Sequence, residues 1–223
     1  QTLYAKLPYD SVKSFEHVSL LVTSPLIVCV TNSLPAKSIN ELIELAKAKP
    51  GTLSFASSGI GAAAHLTTEL FMSTTGIKMV HVPYKGTAPA LQDLIGGQIN
   101  FMMDTPMPAM LPQARAGKVR AIGMASDKRI SIAQDVPTLI EQGVQVTGGT
   151  WVAMLAPAHT PRAIVDKLSK VVGEAMRRPD NRERFAQLGM EPVGSTSPEL
   201  TAFLKGEVAK WAKVIKDANV KID

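Results

Sequence analysis

Apolar and polar residues alternate along this chain in blocks, and the blocks change character once. Residues 26–31 form an unbroken run, Leu-Ile-Val-Cys-Val-Thr, which stops at Asn32-Ser33-Leu34-Pro35. A run this short, bounded by turn formers, predicts a buried strand and a turn. Ser38 then opens a helix, with Glu41 three residues on as in a capping box. Leu42, Ile43, Leu45 and Ala46 supply its apolar stripe, and Pro50-Gly51 ends it. A short strand over 53–56 leads into the bend Ser57-Ser58-Gly59-Ile60-Gly61-Ala62. The helix after it carries Leu66, Leu70 and Phe71 on one face and stops near Gly76.

The unit repeats. Residues 78–82 read as a strand, Pro83-Tyr84-Lys85-Gly86 as a loop, and 88–95 as a helix closed by Gly96-Gly97. Another strand over 99–103 ends at Asp104. Pro106, Pro108 and Pro112 interrupt what comes next, and 119–125 gives one more strand. Strands alternating with helices of this length predict βαβ units and a largely parallel sheet.

Beyond Trp151 the pattern shifts. Residues 151–156 are apolar and extended, and helices dominate afterwards. Thr160-Pro161 reads as an N-cap followed by proline at the first helical position. Ile164, Val165, Leu168, Val171, Val172, Ala175 and Met176 then recur at helical spacing. A shorter helix runs to Gly189. The last begins at Ser197-Pro198 and carries Leu200, Phe203, Leu204, Val208, Trp211, Val214 and Ile215. All these stripes are expected to be core.

The stretch 29–151 has enough helices to cover its own sheet. Residues 1–28 and 152–223 are then the parts of a second lobe, joined to the first by the extended segments near 26–31 and 151–156. A discontinuous lobe with two crossing strands is the layout of a hinged α/β clamshell. This lobe holds too few strands for a full sheet.

Composition narrows the function. The chain has 223 residues, 45% hydrophobic and 19% charged, which supplies a core and excludes disorder. Its formal net charge of +5 fits nucleic acid, an anionic membrane or a small anionic ligand. The densest basic cluster, Arg177, Arg178, Arg182 and Arg184, is diluted by Asp180 and Glu183, and aromatics are only 5%. That is a solvated surface rather than a nucleic-acid face. The single cysteine, Cys29, excludes an internal disulfide and, set in an apolar run, reads as a buried inert thiol. No stretch reaches the roughly 18 apolar residues of a membrane span. The chain opens at Gln1-Thr-Leu-Tyr without the charged and apolar regions of a signal peptide.

Three loops are candidates for chemistry, because ligands of parallel sheets bind at the carboxyl ends of strands. In the first, Ser57, Ser58, Gly59, Gly61, Ala62 and Ala63 join a strand to a helix. Its glycines permit close backbone approach, and the helix start offers unpaired N–H groups with a positive dipole end. A carboxylate or phosphate is the natural guest; a tight turn without a ligand is the competing reading. The bend is not a Walker motif, and Gly59-Ile60-Gly61 lacks the third glycine of a dinucleotide fingerprint, with Ala64 in its place. The second loop contributes Tyr84, Gly86 and Thr87, where Lys85 attracts an anion or is merely solvated. The third contributes Asp104 and Thr105. Asp104 either caps a helix, orients loop N–H groups, holds water or meets an amino group of a ligand.

Catalysis finds little support. The four histidines, His17, His65, His81 and His159, lack zinc spacing, so no metal site is expected. There is no Gly-x-Ser-x-Gly elbow, and Ser58 has no identifiable base. His65 reads as a buried, hydrogen-bonded imidazole. No catalytic residue and no cofactor is assigned.

At this point a family resemblance emerges. It is carried by Val82-Pro-Tyr-Lys-Gly86, Ala88-Pro-Ala-Leu91, Leu94-Ile-Gly-Gly97, Asp104, Ala116-Gly-Lys-Val-Arg120, Asp135-Val-Pro-Thr138, Leu155-Ala-Pro157 with Thr160-Pro161, Glu191-Pro-Val-Gly194 and Trp211-Ala-Lys-Val-Ile215. Together these resemble, in order and through nearly the whole chain, the Bug-type (TctC-like) solute receptors of tripartite tricarboxylate transporters.

The resemblance implies a periplasmic binding protein fold of type II, two lobes with one small organic carboxylate held between them. It implies no cofactor, no enzymatic activity, a periplasmic location with a signal peptide in the precursor, and permease subunits in the membrane as partners. The family pattern Ser-Ser-Gly-x-Gly-Ser with a following histidine is met by Ser57, Ser58, Gly59, Gly61 and His65, with Ala62 in place of the serine. Trp151 matches a tryptophan before the second crossing, as hinge or cleft wall. The resemblance also implies a further stretch before Tyr4, with a Pro/Gly-rich loop that supplies the first lobe's half of the site. The rival readings are the ligand-sensing domain of a transcription regulator or two-component sensor, and an enzyme built on the same lobes.

Overall fold

The computed structural model of the chain describes residues 2–4 and 6–222. Its elements begin with β1 (Phe15–Pro25), β2 (Ile27–Thr31), α1 (Ile39–Ala48), β3 (Ser54–Ser57), α2 (Ala63–Thr75), β4 (Val80–Pro83), α3 (Thr87–Ile95) and β5 (Phe101–Asp104). After an irregular helical turn over Pro106–Met110 come α4 (Leu111–Arg115), β6 (Val119–Met124), β7 (Gly149–Pro157), α5 (Arg162–Arg177), α6 (Pro179–Gln187), β8 (Glu191–Pro192) and α7 (Ser197–Asp217). They form two compact units, Gln1–Ser24 with Trp151–Asp223, and Pro25–Thr150.

The unit Pro25–Thr150 is built on a five-stranded sheet in the order β4-β3-β5-β2-β6. All five residues of β2 are buried, and the reason lies in strand geometry, since successive side chains point to opposite faces. Val28 and Val30 join Phe55, Phe101, Ile39, Leu42 and Phe71 in one core cluster. Ile27 and Cys29 join Ala56, Met102, Leu91 and Leu94 in another. Both faces are covered, so the strand needs apolar residues at every position. Burial also pushes the Cys29 thiol up to about 12.

The direction of β2 departs from the simple βαβ expectation. The strands β4, β3 and β5 are parallel, whereas β2 runs antiparallel to both β5 and β6. A strand buried on both faces has the same residue pattern in either direction, so the sequence does not encode this choice.

Local signals explain several boundaries. Ser38 caps α1, its Oγ accepting the N–H of Glu41, but the Glu41 carboxylate accepts from Lys37 N–H and not from the cap residue. Gly76 ends α2 in the left-handed conformation, where glycine carries no Cβ penalty.

The other unit holds a three-stranded sheet, β7-β1-β8, with Val22 of β1 opposite Pro192 and Thr23 opposite Glu191. Its core is small: Val18, Ala156 and Val165 in one cluster, Leu20, Leu200 and Leu204 in another. Thr196 caps α7 with a full capping box through Glu199.

Two expectations are corrected here. The N-cap of α5 is Pro161, while Thr160 turns its hydroxyl to the Pro157 carbonyl. The α5 stripe is also only partly core. Val165 is fully buried, but Ile164, Leu168 and Val171 are 49%, 38% and 55% exposed. A sheet whose third strand has two residues cannot cover a 16-residue helix.

Candidate functional site

The strands β4, β3 and β5 lie side by side and end at the same edge, with Ser57 opposite Pro83 and Ala56 opposite Met102. The three candidate loops leave from these ends. Hydrogen bonds join them: Tyr84 N–H donates to Ser57 O at 3.0 Å, and Gly86 N–H to Ser58 O at 3.1 Å. Thr87 Oγ1 donates to Asp104 Oδ2 at 2.7 Å. Ser57, Ser58, Gly59, Gly61, Ala62, Ala63, Tyr84, Gly86, Thr87, Asp104 and Thr105 thus belong to one edge of one unit.

The bend is shaped by its glycines. Gly59 and Gly86 have φ of +151° and +106°, values that side-chain-bearing residues rarely adopt. The carbonyl of Gly59 accepts from Ala62 N–H at 3.2 Å, closing a turn. Ala62 is then the N-cap of α2, and no side chain caps that helix. Its first-turn N–H groups and positive end therefore face the bend without a built-in acceptor.

Asp104 resolves into a bracing role. It is 7% exposed, and its second oxygen accepts Thr105 N–H at 2.7 Å. The carboxylate so fixes both the end of β5 and the first residue of α3. The Tyr84 hydroxyl donates to Asp93 Oδ2 at 2.6 Å. Burial, and next the bond to Asp93, push that phenol up to about 12. Lys85 is exposed.

Trp151 lies in the other unit, on β7. Its ring meets Phe203 edge-on, centroids 5.5 Å apart, and its Nε1 donates to Glu207 Oε2 at 3.3 Å, as does Trp211 Nε1 at 2.8 Å. It is one wall of an apolar groove of about 440 Å³ with Tyr9, Phe15 and Leu204.

Behind the bend stands a group that sequence reasoning did not assemble. His81 Nε2 lies 2.7 Å from Ser57 Oγ, and Ser57 Oγ donates to Gly59 O at 3.0 Å. His65 Nδ1 accepts the N–H of Gly61 at 3.0 Å. The two imidazoles stack, centroids 3.8 Å apart and planes at 16°, and Phe55 covers the far face of His81 at 4.7 Å. Burial, and next the neighbouring His65, lower the His81 pKa to about 4 against the pull of Glu69. The histidines are 16 positions apart, and only the packing of α2 against the strands brings them together. Among the described residues no cluster of three or more His, Cys, Asp or Glu could hold a metal.

The fold is that of the periplasmic binding proteins, type II. The sequence profile of the tripartite tricarboxylate transporter family receptor matches residues 1–220, and the chain belongs to that family. A protein encoded in the tcbD-tcbE intergenic region of Pseudomonas sp. strain P51 is 34% identical over 216 residues, which is 95% of this chain and 63% of the relative. R. palustris Rpa4515, solved with adipate, superposes with a TM-score of 0.84 at 33% identity, over 98% of this chain and 73% of that one. MatC (Rpa3494) from Rhodopseudomonas palustris, solved with bound malate, gives 0.77 at 31%, over 96% and 74%. The chain therefore spans less than two thirds of the Pseudomonas relative's length, and 73% and 74% of the two solved neighbours. The family is one of transporter receptors, and MatC was solved with its malate bound.

Proposed function

We propose that this chain is the greater part of a periplasmic receptor that captures a small dicarboxylate for the permease subunits of a tripartite tricarboxylate transporter. One observation carries the reading: an uncapped helix start, α2, opens onto a glycine bend that two further loops brace from the same sheet edge. One carboxylate of the ligand accepts N–H groups from the start of α2 and the bend, with Ser58, Gly86 and Thr87 at its margin. Each charge-assisted hydrogen bond contributes about 1.5–3 kcal/mol, so three at the upper end of that range reach the roughly 8 kcal/mol of micromolar capture. The dicarboxylates adipate and malate in the neighbouring structures support this ligand class. The role is binding: Ser57 Oγ serves Gly59 O and His81 rather than standing free as a nucleophile. Among the described residues no helix is long and apolar enough to cross a membrane. The family profile favours this reading over the ligand-sensing domain of a regulator.

The test is a thermal-shift series on the full-length protein with adipate, malate, phosphate and a neutral sugar. A rise in melting temperature with dicarboxylates alone is expected. A rise with phosphate or sugar and none with dicarboxylates overturns the ligand class.

A further inference from the structure

We propose that His65 and His81 are positioning residues for the anion-binding bend, and that His65 holds the bend only as a neutral imidazole, so acid unlatches it. The proposal rests on the reading of the bend as a carboxylate site.

The geometry assigns the proton. His65 Nδ1 accepts Gly61 N–H, so Nδ1 must be bare and the ring proton must sit on Nε2, which faces Glu69 Oε1 at 3.4 Å. A second proton can only go to Nδ1, where it meets another N–H and breaks the bond to Gly61. The groups around the pair are few. β3 contributes Phe55 and Ser57, which carry no charge; β4 contributes His81; α2 contributes Glu69.

Stacking at 3.8 Å makes a second charge on the pair costlier than the first, because two imidazolium rings this close repel. Glu69 draws that first charge to His65, not to His81, which has its hydroxyl partner in Ser57 and its far face against Phe55. Acidification therefore sets the carboxylate of Glu69 against the amide of Gly61. Once the carboxylate wins, the N–H of Gly61 loses its acceptor and the turn before α2 loses its anchor. The neutral pair fixes the amides a ligand needs, at no cost in reorganisation on binding.

The experiment follows the Gly61 amide and the His65 ring by NMR from pH 7.5 to 4.5, in the full-length wild type and in His65→Asn, whose Oδ1 can occupy the acceptor position without titrating. The wild-type Gly61 amide is expected to move with the His65 ring, and the variant's to stay still. A Gly61 amide that stays still while the His65 ring titrates overturns the latch. Glu69→Gln gives an independent check, moving the Gly61 transition to lower pH; no movement contradicts the proposal.

Adipate is the binding probe. Between pH 7.5 and 5.5 wild-type affinity should fall about tenfold further than that of His65→Asn, which corrects for the ligand's own titration. Equal falls count against the latch. If adipate binds neither protein at pH 7.5, the ligand reading fails, while the amide titration still decides the latch.

Discussion

The hydroxyl of Thr87 donates to Oδ2 of Asp104 at 2.7 Å, tying the first residue of α3 to the last residue of β5. With the second oxygen on Thr105 N–H, one buried carboxylate sets the spacing of two loops. Asp104→Ala should lower stability by about 2–3 kcal/mol, since a buried N–H and a hydroxyl both lose an ionised acceptor. Asp104→Asn should cost less than half of that, because an amide can serve both partners. Urea denaturation of the two variants checks the order.

Gly148 is held small by Thr67. A Cβ at that position would lie 2.4 Å from Thr67 Oγ1 and 2.5 Å from its methyl group, and Thr67 is fully buried. Gly148→Ala should therefore destabilise by about 1–3 kcal/mol. Adding Thr67→Ala should recover most of the loss, since the buried Thr67 hydroxyl has no hydrogen-bond partner to forfeit. A double-mutant cycle gives the coupling.

Ala62 stands at an N-cap without a capping side chain, in extended backbone that a serine adopts freely. Ala62→Ser should stabilise the protein by about 0.5–2 kcal/mol by supplying the missing acceptor. The same hydroxyl would compete with a bound anion for first-turn amides. Chemical denaturation with and without adipate separates the two effects.

His81 makes stability depend on pH in a defined direction. In the unfolded chain it takes up a proton near 6.5, and in the folded protein only near 4. Between those values unfolding binds a proton, so stability falls as pH drops from 6.5 to 4, and below 4 this residue adds no further loss. Urea midpoints across that range should flatten in His81→Asn relative to the wild type.

Much of the fold was legible because local chemistry decided it. The run 26–31 announced a buried strand, and the packing of Val28 and Cys29 into opposite clusters is why no polar residue interrupts it. Ser38 and Gly76 marked helix ends that the backbone realises. The direction of β2 was not legible, since burial on two faces erases the alternation that would separate the options. The α5 stripe misled for a different reason. Ile164, Leu168 and Val171 have the spacing of a core face, but spacing does not say whether a partner surface is present. Within the candidate site, the bend and its glycines could be named from sequence. The assignment of Asp104 to Thr87 and the stacking of His65 on His81 depend on tertiary packing between segments 16 or more positions apart.

An NMR titration of the full-length receptor with adipate reads, amide by amide, where a dicarboxylate touches the protein. The largest shifts are expected at Ser58, Gly59 and Gly61, at the first turn of α2 from Ala63 to His65, and at Gly86 and Thr87. Saturating shifts elsewhere, with those amides unmoved, would contradict the proposed site.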